Sequence, residues 1–184
     1  DSNKKHVVNI GLWTRGKNQG EGLSLARKLP DVQFHFVGNQ AGNFKDYWEP
    51  LMNNVPDNVT IWGERADTST FLQAADVFMF NSTWECNPLV IREAIGHGLP
   101  ILARNLPQYG DMFTEYITPL DPMKMKNQLK KLLREGWNDN IPVENTLLNF
   151  KSKHIDLYTE VTRTKKVKHV PPVDYDIYRD FVLG

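Results

Sequence analysis

The chain has 184 residues, 40% of them hydrophobic and 24% charged, and its 22 basic and 22 acidic residues cancel to a formal net charge of zero. That length buries a core within one ordinary domain, and the balanced charge excludes a bulk electrostatic footprint for nucleic acid or an anionic membrane. The single cysteine, Cys86, excludes an internal disulfide framework and a multi-cysteine zinc site; no apolar run reaches membrane-spanning length and no signal-peptide core follows Asp1–Lys5, so we expect a cytoplasmic chain or a soluble piece of something larger.

In chain order, the first strand candidate is His6–Leu12, which runs into the loop GLWTRGKNQGEG. A helix follows over Gly22–Leu29, with Leu23, Leu25, Ala26 and Leu29 at helical spacing. Strand Val32–Val37, helix Phe44–Met52, strand Asn58–Trp62, helix Ser69–Ala75, strand Asp76–Phe80, helix Leu89–Gly96 and strand Leu99–Ala103 continue the alternation. Connections are short, and several strands are near-continuous apolar runs, as expected when both faces of a sheet are covered. The pattern predicts a Rossmann-like, doubly wound parallel α/β sheet with helices on both faces.

Amphipathic helices are predicted at Pro122–Glu135 and from Glu144 to about Thr162. The end, KKVKHVPPVDYDIYRDFVLG, reads as an extended tail anchored by Tyr175, Tyr178 and Phe181. We therefore divide the chain into a domain over residues 1–164 and a tail over 165–184. In such sheets ligands bind beyond the carboxyl ends of the strands, where the strand order reverses. The loops after the first strand and after Asp76–Phe80 are the places to search.

The first loop, Gly11-Leu12-Trp13-Thr14-Arg15-Gly16-Lys17-Asn18, nearly spells a nucleotide-triphosphate loop, but Asn18 lacks the hydroxyl that would hold magnesium. A glycine-rich turn with two solvated cations is the plain alternative. Arg15 and Lys17, placed between a strand and a helix start, have the charges and neighbouring amides to hold a diphosphate.

The second loop carries two carboxylates, Glu85 and Glu93, in WECNPLVIRE. Asn87 is a favoured N-cap and Pro88 a favoured first helical residue, so a helix is predicted to open there. Glu85 then lies outside the helix and Glu93 well inside it, and the two can line one cavity from two directions. The amides of Leu89 and Val90 are helix-start donors that suit a phosphate. Carboxylates beside an anion site suit vicinal hydroxyls instead, each of which donates a hydrogen bond. The pattern reads as two sugars joined by a diphosphate, one glutamate per ring. Set against this, Glu85 can serve the helix dipole and Glu93 can pair with a solvated cation.

The run from Asn81 to Ile101, NSTWECNPLVIREAIGHGLPI, resembles the E-x7-E segment of retaining nucleotide-sugar glycosyltransferases of family 4, which have the glycosyltransferase-B fold. It has the small polar lead-in, both glutamates, the Glu-Ala pair and the Gly-x-Pro before the next strand. The resemblance extends more weakly over about Val8–Leu133, covering the C-terminal, donor-binding half of such an enzyme. It implies a donor such as a UDP- or GDP-sugar, an acceptor (glycan, lipid or protein) that the sequence leaves unnamed, and an N-terminal acceptor domain outside this chain. Glu93 would bind the ribose hydroxyls and Glu85 those of the transferred sugar. Arg15 and Lys17, with Leu89 and Val90, would neutralise the departing diphosphate, and Gly63 would face the base. Gln19-Gly20 aligns with the family's usual Lys-Gly, and Asn87-Pro88 stands where Phe-Gly is frequent, which removes one N–H donor.

Neither a metal nor a further cofactor is implied. The isolated domain is expected to bind donor and to transfer sugar weakly or not at all. A nucleotide-sugar epimerase, a phosphorylase of the same fold and a non-catalytic binding or assembly module are the alternatives. His97 reads as a surface cap residue, His35 as structural and Cys86 as an inert thiol.

Overall fold

The computed structural model describes residues 3–109, 113 and 115–136. Six strands, β1 (Lys5–Ile10), β2 (Val32–Val37), β3 (Val59–Gly63), β4 (Val77–Phe80), β5 (Ile101–Ala103) and β6 (Thr118–Pro119), form one sheet in the order β3-β2-β1-β4-β5-β6. Every neighbouring pair is parallel. The helices are α1 (Gln19–Arg27), α2 (Lys45–Met52), α3 (Thr68–Ala74), α4 (Leu89–Gly96) and α5 (Met125–Glu135). Short 3-10 turns occupy Gly42–Phe44 and Pro107–Tyr109. The predicted helix over 144–162, the tail 165–184 and the 164/165 boundary lie outside the described residues.

Successive side chains of a strand face opposite ways, so an apolar run feeds two layers at once. Val7, Phe34, Phe36, Val77, Met79 and Leu102 pack with Leu23 and Ala26 of α1 and with Met125 and Leu129 of α5. Val8, Phe78, Phe80, Ile101 and Ala103 pack on the other face with Leu72 of α3 and with Ile91, Ala94 and Ile95 of α4. All four residues of β4 are buried, which explains why its sequence shows no in-out alternation. Asn58, also buried, donates through Nδ2 to the carbonyls of Ala26, Leu29 and Val32 at 2.8–3.0 Å, tying the end of α1 and the start of β2 to the base of β3.

The chain winds outward from β1 to β3, then crosses to β4 and winds the other way. Strand order therefore reverses between β1 and β4, and the loops leaving these two strands face each other across a crevice. Beyond the strand ends the backbone stays tied: the Gly11 N–H donates to the Val37 carbonyl at 2.9 Å and the Gly38 N–H to the Gly63 carbonyl at 2.7 Å. Gly38 has φ 152°, and a Cβ there would lie 1.9 Å from the Gly11 carbonyl oxygen, so only glycine fits.

Candidate functional site

The first loop is closed on itself. The Thr14 carbonyl accepts from the amides of Lys17 and Asn18, both at 3.1 Å, and Asn18 enters α1 in the left-handed conformation with φ 55°. Two amides of the kind that cradle a phosphate are thereby used inside the turn, which removes the basis for a triphosphate-loop reading. Gln19, the first residue of α1, is only 1% exposed and braces the loop: its Nε2 donates to the Leu12 carbonyl at 2.9 Å, while its Oε1 is buried without a partner.

The second loop grips the first. The Thr83 amide donates to the Gly16 carbonyl at 2.7 Å, and the hydroxyls of Ser82 and Thr83 each approach the same oxygen at 3.2 Å. Beneath this clamp runs a polar network. Asn9, buried in β1, donates to the Met79 carbonyl at 2.8 Å and the Asn81 side chain at 3.2 Å, and Asn81 in turn donates to the Asn18 carbonyl. Arg104, just past β5, places NH2 2.7 Å from both carboxylate oxygens of Glu21 and donates through Nε to the Asn81 carbonyl at 3.1 Å. Buried polar groups persist where they satisfy one another, and these join three strand ends into one platform.

On that platform the two loops meet through chemistry. Lys17 Nζ forms an ion pair with Glu85 Oε1 and lies 5.0 Å from the centre of the Phe80 ring. Ser82 Oγ donates to the same carboxylate oxygen at 2.8 Å. The Lys17 and Glu85 side chains are 28% and 14% exposed, so water screens the pair only in part. The lysine stem passes over Gly11, where a Cβ would lie 3.5 Å from Lys17 Cδ, an ordinary van der Waals contact.

Of the predicted site residues, Lys17, Glu85 and Gly11 come together. Arg15 does not join them; its side chain is 74% exposed and pairs with Asp46 of α2 at 2.9 Å, above the Tyr47 ring. Gly63 ends β3 with φ 67°, a left-handed turn whose carbonyl holds Gly38. Glu93 lies exposed on α4, and its carboxylate has no hydrogen-bond or ion-pair partner among the described residues.

The start of α4 differs from the prediction by one residue. Pro88, with ψ 109°, is the extended residue before the helix, and helical dihedrals begin at Leu89. Asn87 does not cap: its Oδ1 accepts from Arg92 Nε at 3.1 Å, a bond reaching across the first turn instead of to a helix amide. The first two amides of α4, those of Leu89 and Val90, consequently lack both an intrahelical acceptor and a side-chain cap. Leu89 itself is 65% exposed and Trp84 64%, apolar groups standing at the rim of the second loop. His97 bonds Ser69 at 3.1 Å on the surface, and Cys86 is exposed.

Three members of the site escaped the sequence reading. Asn9 and Arg104 carry no local signal, since the partners of Asn9 lie at least 70 residues away and those of Arg104 lie 23 and 83 residues away. Tyr109 follows β5 in the 3-10 turn, 3% exposed, with its ring edge-on to Phe113 at 5.2 Å and its hydroxyl unpartnered. Burial foremost, then the charge of Glu85, pushes the Tyr109 phenol far above its ordinary value.

A parallel sheet whose strand order reverses between β1 and β4, with helices on both faces, is a Rossmann-like α/β domain of the glycosyltransferase-B type. The profile of the family described as Glycosyl transferases group 1 matches residues 21–135, more than half of the chain, and the chain belongs to that family.

Among curated relatives it is 26% identical over 114 residues to the processive diacylglycerol alpha-glucosyltransferase of Acholeplasma laidlawii, covering 60% of this chain and 34% of that protein. It is 35% identical over 79 residues to the Escherichia coli UDP-Gal:alpha-D-GlcNAc-diphosphoundecaprenol alpha-1,3-galactosyltransferase, covering 42% of this chain and 20% of that one. The Anabaena HepE crystal structure with UDP-glucose superposes with a TM-score of 0.65 at 21% identity, over 73% of this chain and 40% of that one. The fold is thus that of a glycosyltransferase-B Rossmann-like domain, and the chain corresponds to between a fifth and two fifths of these proteins' length. Among the described residues no helix is long and apolar enough to cross a membrane.

Proposed function

We propose that this chain is the donor-binding domain of a retaining, family 4 hexosyltransferase, holding a nucleotide-diphosphate sugar in the crevice between β1 and β4. The observation that carries the reading is the Lys17–Glu85 pair, which sets one cation and one carboxylate at the switch point of the sheet, on a prebuilt polar platform. The binding of UDP and UDP-glucose by a protein of the same fold supports the choice of ligand class.

In this reading the diphosphate takes Lys17 and the free amides of Leu89 and Val90 near Asn87. Glu93 receives the ribose hydroxyls and Glu85 those of the sugar. Gly63 lies beside the base. Arg15 leaves Asp46, an exposed pair that water screens and that yields at little cost, and adds a second cation. During transfer the bond between the anomeric carbon and the diphosphate breaks, and negative charge grows on the leaving oxygen. Lys17, exchanging Glu85 for the diphosphate, and the helix-start amides stabilise that charge. The acceptor and its binding domain belong to the part of the relatives that this chain does not span, so we place sugar transfer in an assembly with that domain, in the cytoplasm, where UDP- or GDP-sugars serve as donors.

Titration of the 184-residue chain with UDP, GDP and ADP tests the site. Binding of one of them in the micromolar range, weakened at least tenfold in Glu93→Ala, is the expected result, with tenfold corresponding to about 1.4 kcal/mol. Parent-like affinity in that variant would refute the ribose role. A donor-sugar turnover assay then separates an enzyme from a binding module.

A further inference from the structure

The zero net charge of the chain conceals one lopsided element. Residues 122–134, the turn before α5 and all but the last residue of α5, carry Lys124, Lys126, Lys130, Lys131 and Arg134 and no acid, so the remainder of the chain is acidic by five. Met125 and Leu129 are buried in the core beside α1, which fixes the rotation of the helix. At 100° per residue, Lys126, Lys130, Arg134 and Lys131 then span an arc of about 140° on its outer side. All four are exposed, and Lys126 and Lys130 have no hydrogen-bond or ion-pair partner among the described residues. Acids neutralise this face only at its ends: Asp121 lies 3.5 Å from Lys124, and Glu135 lies 2.7 Å from Arg134 and 3.8 Å from Lys131.

A solvated helix face ordinarily mixes signs at i, i+4 spacing, as Lys45 and Glu49 do on α2. On α5 the residues that follow one another at that spacing, Lys126, Lys130 and Arg134, are like charges, which costs helix stability until counter-charge arrives from outside. The turn leading into the helix presents Met123, 92% exposed. All strands are parallel, so this turn, which follows β6, lies at the same edge of the sheet as the crevice.

We propose that the outer face of α5 is a docking surface for an anionic lipid bilayer, on which the chain rests without crossing it. The lysine stems lie along the surface with their ammonium groups among the phosphate headgroups, and Met123 enters the boundary beneath them. The same surface repels the acidic remainder of the chain, which gives the docked chain one orientation. A nucleic acid is the poorer occupant, since residues 122–135 offer no aromatic ring for a base to stack on and a polyanion gives Met123 nothing to enter. This surface works whether or not the crevice holds a nucleotide sugar.

The test is co-sedimentation of the 184-residue chain with vesicles of phosphatidylcholine alone and of an equal mixture of phosphatidylcholine and phosphatidylglycerol. Binding to the mixed vesicles only, weakening as salt is added, is the expected result. Lys126→Glu with Lys130→Glu is expected to lower affinity for the mixed vesicles at least about tenfold. Circular dichroism checks the fold of that double variant, and Lys126→Gln with Lys130→Gln takes its place, with the same direction of effect, where the reversed charges disturb α5. Absent binding, equal binding to both vesicles, or parent-like affinity in the folded double variant overturns the proposal. So does a loss that appears only on reversing Lys165, Lys166 and Lys168, the basic run nearer the end of the chain. Tighter binding of a single-stranded RNA oligonucleotide than of the mixed vesicles, lost in the same double variant, overturns the bilayer as occupant.

Discussion

Replacing Gly38 by alanine probes the junction on which the first loop is built. The new Cβ would sit 1.9 Å from the carbonyl oxygen and 2.6 Å from the carbonyl carbon of Gly11, and 3.3 Å from the Leu12 nitrogen. Real carbon–oxygen contacts need more than 3 Å, and these atoms are backbone, so no side chain can swing aside. The φ of 152° adds strain for any residue with a Cβ. Relief requires moving the Gly11 peptide, which breaks the Gly11 N–H bond to Val37 and shifts the loop leading to Lys17. Backbone strain together with a lost buried hydrogen bond places the cost at about 3–5 kcal/mol. Urea unfolding followed by circular dichroism measures it, with Gly42→Ala as control, since a Cβ at Gly42 meets nothing within 4 Å and should change stability by less than about 0.5 kcal/mol. Should Gly38→Ala unfold within 1 kcal/mol of the parent, the close approach of the first two strand ends is not as described.

Removing Arg104 as Arg104→Ala takes from Glu21 its cation, leaving only the Asn18 and Asn81 amides, and frees one lone pair of the Asn81 carbonyl; the expected loss is about 2 kcal/mol by urea unfolding, shared with and not added to that of Glu21→Gln. Lys17→Met should leave the fold intact but weaken nucleotide diphosphate binding at least about tenfold and flatten its salt dependence, read by titration at two ionic strengths. Burial, then the His6 charge, lowers the His35 pKa below its ordinary value of 6.5. The unfolded chain therefore binds the proton more readily, so stability is complete above about pH 6.5 and falls as pH drops below it. The geometry agrees: Trp62 Nε1 donates to His35 Nδ1 at 3.1 Å, leaving no room for a second proton on that nitrogen. Melting temperatures at pH 7.5 and 5.5 should show a drop that His35→Phe reduces; an equal drop in the variant would remove His35 as its source.

Periodicity located the elements because the core imposes it. Val32–Val37 and Leu89–Gly96 coincide with β2 and α4, and the other strands and helices up to α5 are displaced by up to three residues at their ends, where caps and not apolar spacing decide. β6 has only two residues and the turn at Pro107–Tyr109 only three, too short to carry a period. The alternation implied a doubly wound parallel sheet, and the residues after the first strand and after Asp76–Phe80 marked the two loops of the site, whereas the order of the strands is seen only in the fold. What stayed hidden was pairing across the fold. Nothing near Arg15 in sequence announces that Asp46 draws it outward, and nothing near Arg104 announces Glu21. The cap at Asn87 failed because Arg92, five residues on, competes for the same side-chain oxygen.

The double hold of Thr83, through its amide and its hydroxyl, on a single carbonyl, that of Gly16, makes the two walls of the crevice one mechanical plate. Neither loop opens without the other, so the plate is assembled during folding and an arriving ligand spends no binding energy on ordering it. The Thr83 amide becomes a natural gauge of that plate, since its deuterium uptake counts each parting of the walls.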